Sequence, residues 1–402
     1  LPRFINSALP RSTAATGTYG EAIAEQILGM KLASLHAEAM RRRLAVHPQQ
    51  SSTMTHPLRL GVWALVHGNR AALNDPEEPY DASWDRNRRL VLEAEALGYD
   101  CTLIAQHTTN PHRDDLDQLE AWTSSAALAA LSSRIEIITA IKPMLYNPVV
   151  LAKMALQIEH ISKGRFAINL VNAWNRREIV NAGIPFLEHD ERYAYGSEWL
   201  TVVEALMRGE RVNFAGKHIH VEDYALLPKD SFRRRPRIYV GGESEPARVL
   251  SAAQADVWFI NGQPLGDVAA LIADVGSRPR RGDPLRFGLS AFVIARETQE
   301  EAEAAYRRLL ALAAEDEDMR AFVKANSDEK VAMRKTMAKF ERVGTNGGTA
   351  AGLVGSYDTV AERIIQFHTA GIETLLMQFQ PFEAEMRRFA KHLMPRLKAI
   401  RG

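Results

Sequence analysis

A chain of 402 residues that is 46% hydrophobic and 25% charged has the composition of a soluble globular protein, and no apolar run reaches the ~18 residues that a membrane span needs. Fifty Lys and Arg against 49 Asp and Glu leave a net charge of +1, which argues against a nucleic-acid binder that works through bulk charge. The single cysteine, Cys101, excludes an internal disulfide framework and a multi-cysteine metal site.

Residues 1–56 read as an N-terminal extension. Residues 1–20 are rich in Ser, Thr, Ala and Pro without periodicity, and nothing there has the basic-then-apolar layout of a signal peptide. A reduced, cytoplasmic protein is the expectation. An amphipathic helix is predicted over 21–46, with Ile23, Ile27, Met30 and Leu35 on one stripe and Arg41-Arg42-Arg43 in its last turn. Pro48 and Ser51-Ser52-Thr53 then form a linker. The extension is either without a catalytic role or an arm that packs on a neighbouring subunit of a homo-oligomer, a dimer or tetramer.

From residue 57 to 402 strand and helix signals alternate. Strands are predicted over 58–63, 100–105, 135–141, 165–171, 237–240, 257–260, 287–295 and 374–377. Helices are predicted over 84–97, 119–131, 148–161, 190–207, 298–312, 361–370 and 383–400, with a small hairpin over 212–221. Some eight βα units make an α/β chain with the pattern of a (β/α)8 TIM barrel. A doubly wound sheet is the alternative, but the Gly-x-Gly-x-x-Gly that would announce it after the first strand is absent. Residues 313–351 break the rhythm with an acidic run, a helical middle and a Gly-rich end. They are an insertion before the eighth strand, either a lid over the barrel mouth or a structural element.

In a barrel, chemistry sits where strands end. The strand ends here carry Trp63, Gln106-His107, Lys142, Asn169-Leu-Val-Asn-Ala-Trp174, Gly241-Gly242-Glu243-Ser244, Asn261-Gly262, and Ser290 with Phe292. This rim of aromatics and amides suits a planar, hydrogen-bonding cofactor and a neutral ligand. The glycines of the 241–244 loop allow close backbone approach, and the helix that follows offers free N–H groups to a phosphate. The plain alternative is a turn with a Ser cap. Arg192 and Tyr193 are candidates for the same phosphate, or belong to a solvated first helical turn. His218-x-His220 has no third ligand placed by sequence, so no metal is expected.

In their order and spacing these segments, with Glu188-His-Asp-Glu-Arg-Tyr193, Phe287-Gly-Leu-Ser-Ala-Phe292 and Gly352-Leu-Val-Gly-Ser356, make the chain from about 58 to 397 resemble the bacterial luciferase-like flavin monooxygenases. It is most similar to the two-component branch that oxidises organosulfur compounds with reduced FMN (FMNH2) and O2. The resemblance implies that Gln106 and His107 lie beside the isoalloxazine ring, Asn169 near the reactive edge of the flavin, and Glu178 at the ring or ribityl chain. Arg192, Tyr193 and Ser244, with Gly242 and Glu243 of the same loop, match the phosphate end. Asn169 and His107 are the implied catalytic positions; His107 either manages a proton or is a structural hydrogen-bonding histidine. The chain carries no pyridine-nucleotide fingerprint, so a separate NAD(P)H:FMN reductase is the implied partner.

The implied substrate pocket comprises Trp63, Trp174, Asn261, Ser290, Phe292 and Asn346. The alkanesulfonate branch is similar, down to Lys217-His-Ile-His-Val221, but places an Arg-x-His pair where this chain has Ser290 and Phe292. It also has an Arg at the Asn346 position and a Trp at the Asn261 position. A sulfonate in a dry pocket needs paired cations. Their loss, and the likeness of Ser290-Ala291-Phe292 and Asn261-Gly262 to the sulfone-oxidising branch, point to a small neutral sulfone such as dimethyl sulfone, cleaved at carbon–sulfur to a sulfinate and an aldehyde. The alternatives are a sulfonate met by another cation (Lys142 or Arg342), a heterocycle or haloaromatic oxygenase, an F420-dependent oxidoreductase, and a non-enzymatic flavin-binding relative.

Overall fold

The computed structural model describes residues 56–316 apart from 70 and 281, residues 321, 324 and 325, and residues 342–402. The expected helix of the N-terminal extension and most of the middle of the 313–351 insertion lie outside these described residues.

Short apolar runs form the strands. In chain order they are β1 (Arg59–Trp63), β2 (Cys101–Ile104), β3 (Glu136–Ile141), β4 (Phe166–Leu170), β5 (Val212–Ala215), β6 (His220–Tyr224), β7 (Arg237–Gly241), β8 (Val257–Ile260), β9 (Arg286–Phe292), β10 (Ile294–Arg296), β11 (Val354–Ser356) and β12 (Ile372–Gln378). Eight of them close a parallel barrel in the order β1-β12-β9-β8-β7-β4-β3-β2. Each is buried on both faces, by the barrel interior and by the helices outside, which is why β3 reads as an unbroken Ile-rich run rather than an alternation. These are the eight strands expected from the sequence, so the (β/α)8 reading holds over the doubly wound one.

Local chemistry sets the helix limits. Asn147 accepts from the backbone N–H groups of Val149 and Val150 ahead of the helix Pro148–Ser162, whose first residue is a proline. Thr298 and Glu301 form a capping box at Gln299–Glu315. Two predicted elements are corrected. The seventh strand, expected over 287–295, ends at Phe292; Ile294–Arg296 leaves the barrel and pairs with β11. The last helix, expected over 383–400, stops at His392, because Pro395 cannot continue an α-helix, and the chain passes through a 3-10 turn (Met394–Leu397). The hairpin forms as β5 and β6, with His218 in its turn and only His220 on a strand.

The entry end of the barrel is closed by charge. Glu136, Arg59 and Arg237 each begin a strand, and Glu136 accepts from Arg59 (2.8 Å), Arg237 (3.1 Å) and the Tyr239 hydroxyl (3.2 Å). In such barrels the opposite end, where the strands finish, is the one that carries function. That opposite end is where the tail of the insertion is seated. The Asn346 carbonyl accepts from Gly262 N at 2.9 Å, and Thr345 N donates to Gln378 Oε1 at 3.1 Å. Gly347 (φ 86°) lies so close that a Cβ on it would fall 2.1 Å from the Gly262 carbonyl, so only glycine fits this contact.

Candidate active site

The residues after β2, β3 and β4 converge on one buried charge cluster. His107 follows β2, Lys142 follows β3, and Glu178 comes from a short helix, Arg176–Asn181, that the sequence reading did not predict. That helix is held by Asn175, whose side chain accepts from Glu178 N. Lys142 Nζ lies 2.5 Å from Glu178 Oε2. His107 Nδ1 lies 3.1 Å from the same oxygen and 3.0 Å from Lys142 Nζ. The other carboxylate oxygen accepts from Thr108 N at 2.8 Å. Burial pushes the Glu178 carboxyl up, but the hydrogen bonds and charges of its cluster, the Lys142 ammonium among them, reverse this and hold it at about 2. Burial pulls the Lys142 pKa down, and Glu178 opposes that shift. Glu178, expected to touch the flavin, is thus bound within the protein. Lys142 is no free cation available to a substrate.

At the ends of β2, β4 and β7 several buried polar atoms have no hydrogen-bond partner. They are both amide atoms of Gln106, Oδ1 of Asn169 on β4, and Oγ of Ser244 after β7. An unpartnered buried polar group costs about 1–3 kcal/mol, which a ligand bonded to these atoms would recover. Gln106 offers a donor and an acceptor in one plane, which fits the edge of a flavin ring. Ser244 caps the helix Glu245–Gln254 through its carbonyl, which accepts from Arg248 N, and its side chain makes no cap bond, so the hydroxyl and the helix N-terminus can receive an anion such as phosphate.

Gly242 shapes this cradle. Its φ is 118°, and a Cβ there would lie 3.1 Å from the Tyr193 hydroxyl, so Tyr193 and the 241–244 loop lie side by side. Arg192 does not stand open beside them: its guanidinium donates to the carbonyls of Asn172 (3.2 Å) and Leu187 (2.8 Å) and stacks on Phe186. Glu243 also turns inward. Its Oε1 accepts from Asn261 N at 2.7 Å, fixing the loop after β8, while burial pushes its carboxyl up to about 6.

The implied substrate residues gather at the same end. Trp63 Nε1 donates to Ser290 Oγ at 3.2 Å, and Trp174 stands edge-on to His107 with ring centroids 5.8 Å apart. Asn261 and Asn346 flank Gly262. Phe292 is fully buried in a small core with Ala71, Ile294, Leu309 and Val343, so it acts as a wall behind Gly344 rather than an exposed contact. Gln378 was missed by the sequence reading. As the last residue of β12 it joins Ser290 to Thr345, and only its place at a strand end signalled it.

Comparison with known proteins agrees with this fold. The model of the family described as luciferase-like monooxygenase matches residues 58–374. An FMNH2-dependent dimethylsulfone monooxygenase of Pseudomonas putida is 29% identical over 354 residues, covering 86% of this chain and 97% of the relative. A protein of the same name from Pseudomonas fluorescens (strain Pf0-1) is 30% identical, covering 81% and 90%. The crystal structure of DmoA from Hyphomicrobium sulfonivorans shares the fold, with a TM-score of 0.70 at 19% identity over 86% of this chain and 88% of its own. A closed eight-stranded barrel with unpartnered amides and a Gly-Gly-Glu-Ser loop at one end, matched over most of its length by this family model, places the chain in the luciferase-like monooxygenase family.

Proposed function

We propose that the chain binds reduced FMN at the carboxyl end of the barrel and uses O2 to cleave a small neutral sulfone into a sulfinate and an aldehyde. For dimethyl sulfone, one sulfone, one O2 and one reduced FMN give methanesulfinic acid, formaldehyde, water and FMN. Bound reduced flavin supplies the electrons for O2. The observation that carries this reading is the set of buried, unpartnered atoms of Gln106, Asn169 and Ser244, on three strand ends of one barrel wall. Gln106 and Asn169 orient the ring, while Ser244 and Tyr193 hold the phosphate. Trp63, Trp174 and the 342–351 segment keep water from the reacting atoms. The electrons come from a separate NAD(P)H:FMN reductase, and a cytoplasmic reaction is part of this reading. Among the described residues no helix is long and apolar enough to cross a membrane.

The substrate class follows from charge. The two curated relatives carry dimethyl sulfone in their names. Among the described residues the side chains bonded to the Ser290 hydroxyl are the neutral Trp63 and Gln378, and the Lys142 charge is matched by Glu178. A second reading, an anionic sulfonate, is favoured by Arg342. Its Nη1 donates to the Gly344 carbonyl at 2.5 Å, its buried Nε has no partner, and burial lowers its pKa. The test is kcat/KM for dimethyl sulfone and methanesulfonate, with FMN, NADH, O2 and a generic flavin reductase. The sulfone is expected to be the better substrate. Methanesulfonate ahead by about tenfold, on the order of 1.4 kcal/mol in transition-state binding, establishes the second reading instead.

A further inference from the structure

The nitrogen Nδ1 of a neutral imidazole has one in-plane position, which it uses either to donate or to accept. At His107 two groups compete for it. Glu178 Oε2, at 3.1 Å, only accepts; Lys142 Nζ, at 3.0 Å, only donates while charged. Counting bonds decides between them. Glu178 has donors without the imidazole: Thr108 N at 2.8 Å and Thr108 Oγ1 at 3.3 Å on one oxygen, and Lys142 at 2.5 Å on the other. Lys142 is 2% exposed and has three N–H bonds to place. Among the described residues its acceptors are Glu178 Oε2 and His107 Nδ1. A proton on Nδ1 would set an N–H against the ammonium and deprive it of one of two acceptors in a buried site, the more costly arrangement.

We propose that Lys142 is a positioning residue that fixes His107 in the tautomer protonated at Nε2, so that the ring meets the reaction as a hydrogen-bond donor and not as a base. Adjacent strands set this up: β2 and β3 are paired in register, with Ile104 opposite Thr139, so the residues that follow them emerge side by side. Trp174 and His67 stand edge-on to the ring, with centroids 5.8 and 6.0 Å away, and restrict its rotation. With its proton on Nε2, His107 stabilises an oxygen that gains negative charge and takes no proton from the substrate through that atom. This consequence rests on the proposed function; the tautomer itself does not.

The experiment is 15N NMR of the full chain labelled at its 12 histidines, recorded well above the ordinary histidine pKa of about 6.5. His107 is identified by the signal lost in His107→Gln. The expected result is a protonated Nε2 and a bare Nδ1 in the native chain, with the proton moved to Nδ1, facing Glu178, in Lys142→Met. A native His107 protonated at Nδ1, or a Lys142→Met spectrum with the native tautomer, overturns the proposal. Should Lys142→Met fail to fold, the native spectrum decides by itself. Titrating FMN into the same sample reads the functional site separately: failure to bind FMN removes the proposed function and does not touch the tautomer.

Discussion

Trp63 and Ser290 are joined by a hydrogen bond from the indole N–H to the serine hydroxyl at 3.2 Å. Gln378 Nε2 donates to the same hydroxyl, also at 3.2 Å, so one small side chain ties β1, β12 and β9 together below the insertion. Ser290→Ala removes the acceptor of both donors in a fully buried place. Stability is expected to fall by about 1–3 kcal/mol, read as a lower urea midpoint with an unchanged slope. An unchanged midpoint shows that the bond carries no stability.

The same packing limits any exchange toward the sulfonate pattern. An arginine at 290 displaces Trp63 and Gln378, and a histidine at 292 puts a polar ring among Ala71, Ile294, Leu309 and Val343. The double variant Ser290→Arg, Phe292→His is expected to lose at least ~3 kcal/mol, through overpacking and a buried unpaired charge. Native-like unfolding of that variant contradicts the packing argument.

Ser244 gives a prediction of two signs. Its hydroxyl is buried without a partner, so Ser244→Ala leaves the stability of the flavin-free protein unchanged or slightly raised. FMN binding, in contrast, weakens by about 1.5–3 kcal/mol, the loss of a hydrogen bond to a charged group. Arg192→Ala does the reverse, lowering stability first, because Arg192 holds the Asn172 and Leu187 carbonyls. Thermal melts and flavin-fluorescence titrations of the two variants check both signs. Equal FMN affinity in Ser244→Ala moves the phosphate elsewhere.

Acid dependence follows from Glu178. Its folded pKa is about 2 against an ordinary value of 4.5, so it contributes stability that is fully present above 4.5 and is lost as pH falls towards 2. Glu178→Gln leaves Lys142 buried without a counter-charge and is expected to cost about 3–5 kcal/mol at neutral pH. The gap between native and variant narrows as pH drops through that window. A gap that stays constant from neutral pH down to the acid limit contradicts the ion pair.

The source of electrons is tested without a variant. NADH and FMN with the purified chain alone are expected to give no turnover of dimethyl sulfone, and adding a flavin reductase starts it. Efficient NADH oxidation by the chain alone removes the two-component reading.

The order of strands and the chemistry of their ends were legible in the sequence. Ile137 to Ile141 has to be a doubly buried strand, and Gly241-Gly242-Glu243-Ser244 has to be a turn into a helix, because backbone sterics and local periodicity act over a few residues. Gln106, Asn169 and Ser244 could therefore be placed at one end of a barrel from spacing and resemblance. The directions and partners of the long side chains were settled only by barrel closure. Lys142 meets Glu178 across 36 positions, Glu243 turns in to the loop after β8, and Arg192 finds two carbonyls instead of an open pocket. Phe292 shares its strand face with Ser290 by period, yet it is buried against Leu309 of the helix that follows and Ala71 of a loop far away in the chain. Strand period fixes which face a residue takes. Which atom lies opposite depends on the register of eight strands and on where a buried charge can be matched, and both are properties of the closed barrel as a whole.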